Sequence, residues 1–356
     1  MTNASPAGHT ADTITDEEPF TSTIKGTRPT MHDVAAGAGV SLKTVSRVVN
    51  GDPAVAPATA AKVREVIGAI EYRRNDAARM LRPGQRSQLL GLVIADLHNP
   101  FYATVAAHIE ELVRPKGFDL MTANTREDPE LEFRAVETFR SRQCDGLIVV
   151  PTHGSKLPKD RAPIVYLDRV PDSGDMPSVV LDNANGARQA VDHLASRGHS
   201  RIAFVGDAPT RIATAEERFR GYRSALAALR LGPVPPLEVL GTHTVDEAAE
   251  ATEELLTRHP DIDAIFATNN RNTLGALTAM KRLDHRVSII GFDDFESAEL
   301  LGVSVVAYSF AELARATVDL LLSHISGSAE TADLRVVATK LIERGSSSWT
   351  RQPKMR

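Results

Sequence analysis

Residues 30–50 read Thr-Met-His-Asp-Val-Ala-Ala-Gly-Ala-Gly-Val-Ser-Leu-Lys-Thr-Val-Ser-Arg-Val-Val-Asn, and they predict two short helices joined by a tight turn. Thr30 and Asp33 have capping-box spacing, in which side chains bond the first unpaired N–H groups of a helix. Apolar residues then recur at helical spacing, at Met31, Val34, Ala35 and Ala38. Gly39 ends this first helix, because glycine adopts the left-handed conformation without a Cβ penalty.

The second helix has two different faces. Ser41 caps it, with Val40 and Val45 at the positions of a hydrophobic staple. Its inward face is apolar, formed by Val45, Val48 and Val49. Its outward face is polar and basic, formed by Lys43, Ser46, Arg47 and Asn50. A helix this short needs packing to be stable. We therefore predict a helix-turn-helix whose second helix enters the DNA major groove.

Bulk composition describes a small module followed by a larger two-part body. The chain has 356 residues, of which 42% are hydrophobic, enough for substantial cores. Cys144 is the only cysteine, which excludes an intramolecular disulfide and fits a reducing compartment. The sequence has no apolar run of membrane-spanning length and no signal-peptide pattern. We expect a cytoplasmic protein without a membrane partner, associated with the nucleoid when it binds DNA.

Charge is segregated along the chain although its net value is −5. Residues 28–86 contain ten Lys and Arg against five Asp and Glu, whereas residues 1–27 contain one against four. The remainder contains 30 against 37. A basic module on an acidic body suits a protein that presents one end to a polyanion.

The N-terminal region divides into three predicted segments. Residues 1–27 read as a disordered tail, with a regulatory role as the less favoured alternative. Residues 28–74 form the helix-turn-helix domain, whose third helix begins near Pro57. Its buried stripe consists of Val63, Val66, Ile67 and Ile70. Residues 75–86 suit a short helix capped by Asn75, which either folds on contact with DNA or serves as a plain linker.

Residues 87–349 alternate between strand and helix patterns. The strand runs are Leu89–Ala95, Phe118–Thr122, Gly146–Val150, Ile164–Leu167, Val179–Leu181, Ile202–Val205, Leu237–Leu240, Ala264–Ala267 and Val287–Gly291. The helical patterns between them are Ala103–Val113, Leu131–Arg140, Ala187–Arg197, Glu216–Arg230, Asp246–Arg258 and Thr273–Arg282. This order predicts two doubly wound parallel-sheet lobes. We expect the first lobe at about 87–185 plus 303–325, the second at about 186–302 plus 326–345, and a C-terminal tail at 350–356. A ligand site is expected in the cleft between them.

These residues resemble the lactose-repressor/galactose-repressor (LacI/GalR) family of bacterial transcription regulators. The resemblance covers roughly residues 29–347. It rests first on the helix-turn-helix pattern and on Asn75…Ala78-Arg79…Leu81, which is similar to the family's hinge helix. Further landmarks follow in order: Asn99-Pro-Phe-Tyr, Asp145-Gly-Leu-Ile, Asp182-Asn183, Arg218…Gly221-Tyr222, Gly291-Phe-Asp-Asp and Glu343-Arg-Gly-Ser-Ser. The resemblance implies a periplasmic-binding-protein-like core and a dimer that binds a pseudo-palindromic operator in double-stranded DNA.

The resemblance also implies roles for residues of the DNA-binding region. Leu42, Lys43 and Arg47 occupy positions similar to those that touch bases in the major groove. Their chemistry agrees, because lysine and arginine can donate to guanine O6 and N7 and leucine can contact a thymine methyl group. Residues placed near phosphates are Ser41, Thr44, Ser46, Asn50, Arg79 and Arg82. Leu81 matches the leucine that paired hinge helices wedge into the minor groove, where an apolar side chain unstacks a base step.

An effector pocket is implied in the same way. The candidates are Phe101, Tyr102, Asp168, Arg169, Thr214, Arg218, Asn269 and Asp293. Their mixture of carboxylate, amide and guanidinium groups suits a hydroxyl-rich small molecule such as a sugar. Core packing is an alternative for the two aromatic residues. Helix capping or loop ordering is the alternative for Asp168, Arg169, Thr214 and Asn269.

The sequence departs from the family pattern in three places. The stretch after Met280 is short, and the crossover near Val303–Ser309 lacks the usual Gln-Pro pair. The chain ends soon after Trp349 without leucine heptads. We therefore expect no tetramer-forming tail like that of the lactose repressor, and we expect a homodimer.

Enzyme functions find little support in the sequence. It contains no G-x-G-x-x-G after the first strand, no phosphate-binding loop and no H-E-x-x-H. His98 and His108 suit surface or capping roles, and Cys144 suits the core. We expect no cofactor, no metal and no catalytic residue. The alternatives are a cytoplasmic solute-binding or sugar-processing protein, and a DNA-binding regulator that responds to a phosphoprotein. We expect ligand to close the cleft and alter the hinge segments, coupling ligand binding to operator affinity.

Overall fold

The computed structural model describes residues 29–49, 51–72, 87–157, 163–172, 174, 176–232, 235–328 and 333–349. Contacts divide the chain into two compact units, Met1–Leu81 and Arg82–Arg356. Each unit is presented separately. The predicted tail at 1–27 and the hinge at 75–86 lie outside the described residues.

The N-terminal unit contains three helices, α1 (Met31–Ala38), α2 (Leu42–Val49) and α3 (Pro57–Ala69). The predicted capping box is present: Asp33 N–H donates to Thr30 Oγ1 over 3.4 Å, and Thr30 N–H donates to Asp33 Oδ2 over 2.8 Å. Gly39 ends α1 in the left-handed conformation with φ 64°. The local signals therefore set both ends of the first helix.

A small aliphatic core joins these helices. Val34, Val45 and Val63 are fully buried, one from each helix. Val49, Val66, Ile67 and Ile70 pack against this cluster. The stripe predicted on each helix thus faces one shared core, which leaves the polar face of α2 outside.

The larger unit begins with a lobe built on a six-stranded parallel sheet. Its strands are β1 (Leu89–Ile94), β2 (Asp119–Asn124), β3 (Gly146–Val149), β4 (Ile164–Leu167), β5 (Ser178–Leu181) and β11 (Leu334–Val337). Their order is β11-β5-β4-β3-β1-β2. The helices packed with them are α4 (Pro100–Val113), α5 (Pro129–Ser141) and α10 (Phe310–Ser326). The central strands are buried on both faces, as a helix-covered parallel sheet requires.

The second lobe repeats this design. Its strands are β6 (Ile202–Gly206), β7 (Glu238–Leu240), β8 (Ala264–Ala267), β9 (Ser288–Phe292), β10 (Ser304–Ala307) and β12 (Lys340–Ile342). Their order is β12-β10-β9-β8-β6-β7, with only the β10–β12 pair antiparallel. Its helices are α6 (Asn183–Ser196), α7 (Ala213–Ala228), α8 (Val245–Arg258) and α9 (Asn270–Leu283). The prediction of two doubly wound lobes is confirmed.

The lobe boundaries differ from the sequence expectation in the last 50 residues. Residues 303–307 were expected in the first lobe, but β10 pairs with β9 of the second. Strand β11 was expected in the second lobe, but it pairs with β5 of the first. The chain therefore passes between the lobes three times. The physical reason is strand pairing: each sheet takes an edge or near-edge strand from the C-terminal segment, which no local pattern reveals.

No described helix has both the length and the apolar composition needed to cross a membrane.

Candidate functional site

The outward face of α2 is the candidate nucleic-acid interface. Leu42 is 40% exposed, and Lys43 is also exposed. The Arg47 side chain is 42% exposed. The valines on the opposite side hold this face outward, so the three residues predicted to touch bases share one accessible surface.

Arg47 has a partner that sequence reasoning missed. Its Nε donates to Asp52 Oδ2 over 2.7 Å. The Asp52 N–H in turn donates to the Arg47 carbonyl over 2.9 Å. The bond to Arg47 is the largest cause that lowers the pKa of the Asp52 carboxyl. Asp52 therefore orients the guanidinium from the turn that follows α2. The sequence feature that could have revealed this pair is the spacing of five residues between Arg47 and Asp52.

The predicted phosphate-contacting residues divide into two groups. Ser41 and Thr44 form the cap of α2: Thr44 N–H donates to Ser41 Oγ over 3.1 Å, and the two hydroxyl oxygens are 2.9 Å apart. Ser46 is half-buried on the same helix. The others lie outside the described residues, namely Asn50, Arg79, Arg82 and the minor-groove candidate Leu81.

The second candidate site lies where strands of both lobes end. All eight predicted effector residues line one cavity there. The full lining is Asp96, Asn99, Phe101, Tyr102, Glu127, Asp168, Arg169, Asp207, Ile212, Thr214, Ala215, Arg218, His243, Thr268, Asn269, Arg271 and Asp293. Parallel sheets place ligand sites at the carboxyl ends of their strands, and this cavity follows that rule.

Asp168 and Asp293 are equivalent residues of the two lobes. Asp168 follows β4 and Asp293 follows β9, with φ values of 70° and 71°. Each carboxylate accepts a tyrosine O–H, from Tyr102 over 3.3 Å and from Tyr308 over 3.0 Å. Burial raises the pKa of Asp168 to about 6 although Arg169 and Arg218 lower it. Burial likewise raises the pKa of Asp293 against Arg218. Each lobe thus contributes one buried carboxylate to the cavity lining, at a cost in solvation.

Two buried arginines balance these acids. Arg169 donates both terminal nitrogens to Glu127, over 2.7 and 2.8 Å, and its Nε lies 3.5 Å from Asp168 Oδ2. Arg218 donates Nε to Asn183 over 2.8 Å and lies 3.8 Å above the Phe292 ring. Its Nη2 is 3.8 Å from Asp293. Both guanidiniums are therefore fixed before any ligand contact, which favours preorganised recognition.

The remaining predicted pocket residues combine packing with polarity. The Phe101 and Tyr102 rings pack edge-on at 4.9 Å, and both are buried. Thr214 is buried in the first turn of α7. Asn269 caps α9 by accepting Asn272 N–H over 2.8 Å, and it also donates to Asp207 over 2.5 Å. These residues therefore have the packing and capping roles considered for them, and they also line the cavity.

Direct contacts between the lobes close the cavity. Arg271 of the second lobe donates to Asp96 of the first over 2.5 Å, and Asn270 donates to Asn99 over 3.2 Å. The cavity has a volume of about 50 Å³, room for only a few waters at about 10–15 Å³ each. We call this cavity the inner chamber. A sugar ring can enter it only when the lobes separate.

Several lining residues were missed from the sequence. Asp207 directly follows β6, and Asp96 lies two residues after the end of β1, so the strand-end rule applied to Asp168 could have found both. His243 accompanies Asp207 at 2.7 Å, and this hydrogen bond is the largest cause that raises the pKa of the imidazole. The strand-end rule does not identify Arg271, because its partner Asp96 belongs to the other lobe.

The residues considered for other chemistry lie elsewhere. Cys144 is buried in the first lobe, and burial raises the pKa of its thiol to about 11. His98 lies on the surface beside Asp96, and His108 stacks on Phe310. Among the described residues, no group of three or more His, Cys, Asp or Glu side chains is placed to hold a metal ion.

Comparisons with known proteins agree across both units. Residues 30–75 match the family described as bacterial regulatory proteins, lacI family. Residues 87–334 match the periplasmic binding proteins and sugar binding domain of the LacI family.

Individual relatives cover most of the chain. The HTH-type transcriptional regulator CelR of Thermobifida fusca is 35% identical over 289 residues, which are 76% of this chain and 84% of CelR. Catabolite control protein A of Priestia megaterium is 32% identical over 274 residues, covering 74% of this chain and 82% of that protein.

Solved structures give the same result. A complex of the regulator CelR with cellobiose has a TM-score of 0.68 at 30% identity, covering 90% of this chain and all of that one. The lac repressor dimer bound to operator and an anti-inducer has a TM-score of 0.79 at 24% identity, covering 90% of this chain and 99% of that one. At that identity the lac repressor shows the shared fold.

Proposed function

This chain belongs to the LacI family of bacterial regulatory proteins, and from this premise we propose that it represses transcription as a homodimer on a pseudo-palindromic operator. A carbohydrate bound in the interlobe cleft regulates it. The observation that carries this function is the presence, in one chain, of an outward recognition face on α2 and a polar cleft between two lobes. A solute-binding or sugar-processing protein has no use for the first of these features.

The proposed DNA contacts divide by type. Lys43 and Arg47 read base edges from α2, because a lysine or arginine can donate to guanine O6 and N7. Leu42 meets a thymine methyl. The hydroxyls of Ser41, Thr44 and Ser46 contact phosphates, with Asn50, Arg79 and Arg82 as further phosphate contacts. Leu81 enters the minor groove. The eight pocket residues predicted from the sequence bind the effector.

Relatives support the choice of ligand class. The CelR structure contains cellobiose, and the matched family includes a sugar-binding domain. We extend that ligand class, rather than the particular sugar, to this chain. The relative CelR is named a transcriptional regulator, and we propose no catalytic activity for this chain.

The test is DNA selection with the full chain. Sites enriched from genomic or random DNA should be pseudo-palindromic, and their binding should weaken steeply with salt because phosphate contacts release counterions. Failure to bind any duplex at low salt would contradict the proposal.

A matched pair of lysines isolates the recognition face. Lys43→Ala should reduce the preference for the selected site over a scrambled duplex, by about 1–3 kcal/mol for a base contact. Lys116→Ala removes the same charge from an exposed position of the core unit and should leave this preference unchanged. Equal effects of the two variants would argue against base reading by α2.

A further inference from the structure

A second cavity of about 460 Å³ adjoins the inner chamber. We call it the outer chamber, and its walls are Pro151–His153 and Arg169–Asp172 of the first lobe and Pro209–Ala213 with Glu216 of the second. It shares Arg169 and Ile212 with the inner chamber. The outer chamber falls within the roughly 300–1,000 Å³ of small-molecule sites, whereas the inner chamber does not.

The lining of the outer chamber suits a sugar ring. Its apolar surface includes Val170, Ile212 and three prolines, against which the C–H face of a pyranose can pack. Hydroxyl, guanidinium and carboxylate groups surround this surface, from Thr210, Arg211 and Glu216. A few polar groups around an apolar floor fix the orientation of a bound ring.

One wall of the outer chamber is rigidly held. Glu132 of α5 is fully buried, and its carboxylate accepts Thr152 N–H over 2.6 Å as well as the Ser155 hydroxyl. Arg169 also donates to the Pro151 carbonyl over 3.4 Å. Preformed walls reduce the ordering cost of binding.

The charges of the inner chamber disfavour an anion. Its five carboxylates, from Asp96, Glu127, Asp168, Asp207 and Asp293, outnumber its basic groups, which are three guanidiniums and the His243 imidazole. Each guanidinium is already committed: Arg169 to Glu127, Arg271 to Asp96, and Arg218 to Asn183 and to the Thr268 carbonyl. A phosphate would meet excess negative charge without a bidentate arginine partner.

We propose that the effector is an uncharged saccharide of at least two rings, with one ring in the outer chamber and a hydroxyl-rich end at Asp168 and Arg169. This inference rests on the proposed function and narrows its ligand class. The outer ring supplies binding energy from a preformed surface. The inner end makes the contacts that require separation and closure of the lobes. A ligand with a single ring can have either the packing in the outer chamber or the contacts at Asp168 and Arg169, but not both.

The experiment measures binding to the full chain by thermal shift and calorimetry. The probes are cellobiose, maltose, lactose, D-glucose and glucose 6-phosphate. We expect at least one disaccharide to raise the melting temperature, and glucose to bind at least about tenfold more weakly. Glucose 6-phosphate should bind no better than glucose.

Two tryptophan variants locate the outer ring. Ala213→Trp fills the outer chamber from the first turn of α7. It should weaken the disaccharide at least about tenfold, and it should also weaken glucose, whose single ring fits that preformed chamber. Ala227→Trp places the same side chain on the exposed far end of that helix and should change neither.

Four results would overturn the inference. None of the disaccharides binds at about 10 mM, a concentration that corresponds to about −3 kcal/mol of binding free energy, or glucose binds as tightly as the disaccharides. The other two are that glucose 6-phosphate binds more tightly than glucose, or that disaccharide affinity is unchanged in Ala213→Trp. Binding of the selected DNA is measured in a separate assay that contains no sugar. Retained DNA binding with any of these results would reject the two-ring ligand and leave the proposed DNA-binding function standing.

Discussion

Replacing Asp168 by asparagine should stabilise the core unit, and the gain should grow with pH. Asp168 is 6% exposed, and burial raises the pKa of its carboxyl from 3.8 to about 6 despite Arg169 and Arg218. Asparagine has nearly the same shape and carries no charge. It also tolerates the left-handed backbone at φ 70° better than most residues do. The substitution therefore removes a titration with little change in packing.

The sign follows from proton linkage. A carboxyl whose pKa is higher in the folded than in the unfolded state contributes stability that is fully present below the unfolded pKa. That contribution is lost as pH rises through the folded pKa. With values of 3.8 and about 6, the loss is about 1–2 kcal/mol at pH 5 and about 3 kcal/mol at pH 8. Because the asparagine side chain does not titrate, the advantage of Asp168→Asn should increase by about 1–2 kcal/mol over this range.

Urea unfolding between pH 5 and pH 8 measures this difference. The increase with pH is the informative quantity, since any constant effect of a changed hydrogen bond cancels from it. Asp246→Asn removes an exposed carboxyl of α8 and serves as the control for the loss of one surface charge. A flat or falling difference for Asp168→Asn would refute the raised pKa of this buried carboxyl.

Three other predictions concern DNA reading and packing. Arg47→Ala should relax sequence preference in the selected duplex, and Asp52→Ala should do so more weakly, because it frees the guanidinium held at 2.7 Å; competition binding measures both. Leu81→Ala should weaken operator binding far more than nonspecific binding in anisotropy titrations, since a wedge acts at one base step. Gly221→Ala should cost about 3 kcal/mol by urea unfolding, because its Cβ would lie 2.2 Å from the Ala184 carbonyl oxygen. Gly68→Ala, which meets no atom within 4 Å, should gain about 1 kcal/mol instead. Equal outcomes at the two glycines would contradict the close approach of α6 and α7.

Local signals account for the parts of the fold that the sequence could predict. Thr30, Asp33 and Gly39 set the limits of α1 through groups within four residues of each end. The strand runs were recognisable because buried parallel strands are almost uninterrupted apolar segments. The departures lie where pairing partners are distant: β10 and β11 belong to lobes opposite to those expected, and α10 was absent from the predicted helices.

The same distinction explains the pocket. Residues next to strand ends could be placed together because parallel strands end at one edge. This accounts for Asp168 and Asp293. Arg271 and Asn270 required the relative position of two lobes, which no strand pattern specifies. Asp52 required the three-dimensional path of the turn after α2. Sequence patterns thus located the site, whereas its charge balance needed the tertiary structure.

The contacts between the lobes constrain how a ligand can act. Arg271–Asp96 and Asn270–Asn99 already favour the closed arrangement, so closure does not depend on ligand contacts alone. A ligand shifts such an equilibrium only by its difference in affinity between the two arrangements. Contacts confined to the wall at Pro151–His153, which belongs to one lobe, provide affinity without any shift. Contacts that join this wall to Ile212 and Arg218 of the second lobe provide the shift. An effector that contacts both lobes therefore has a physical reason to regulate, whereas one confined to a single lobe would bind without effect.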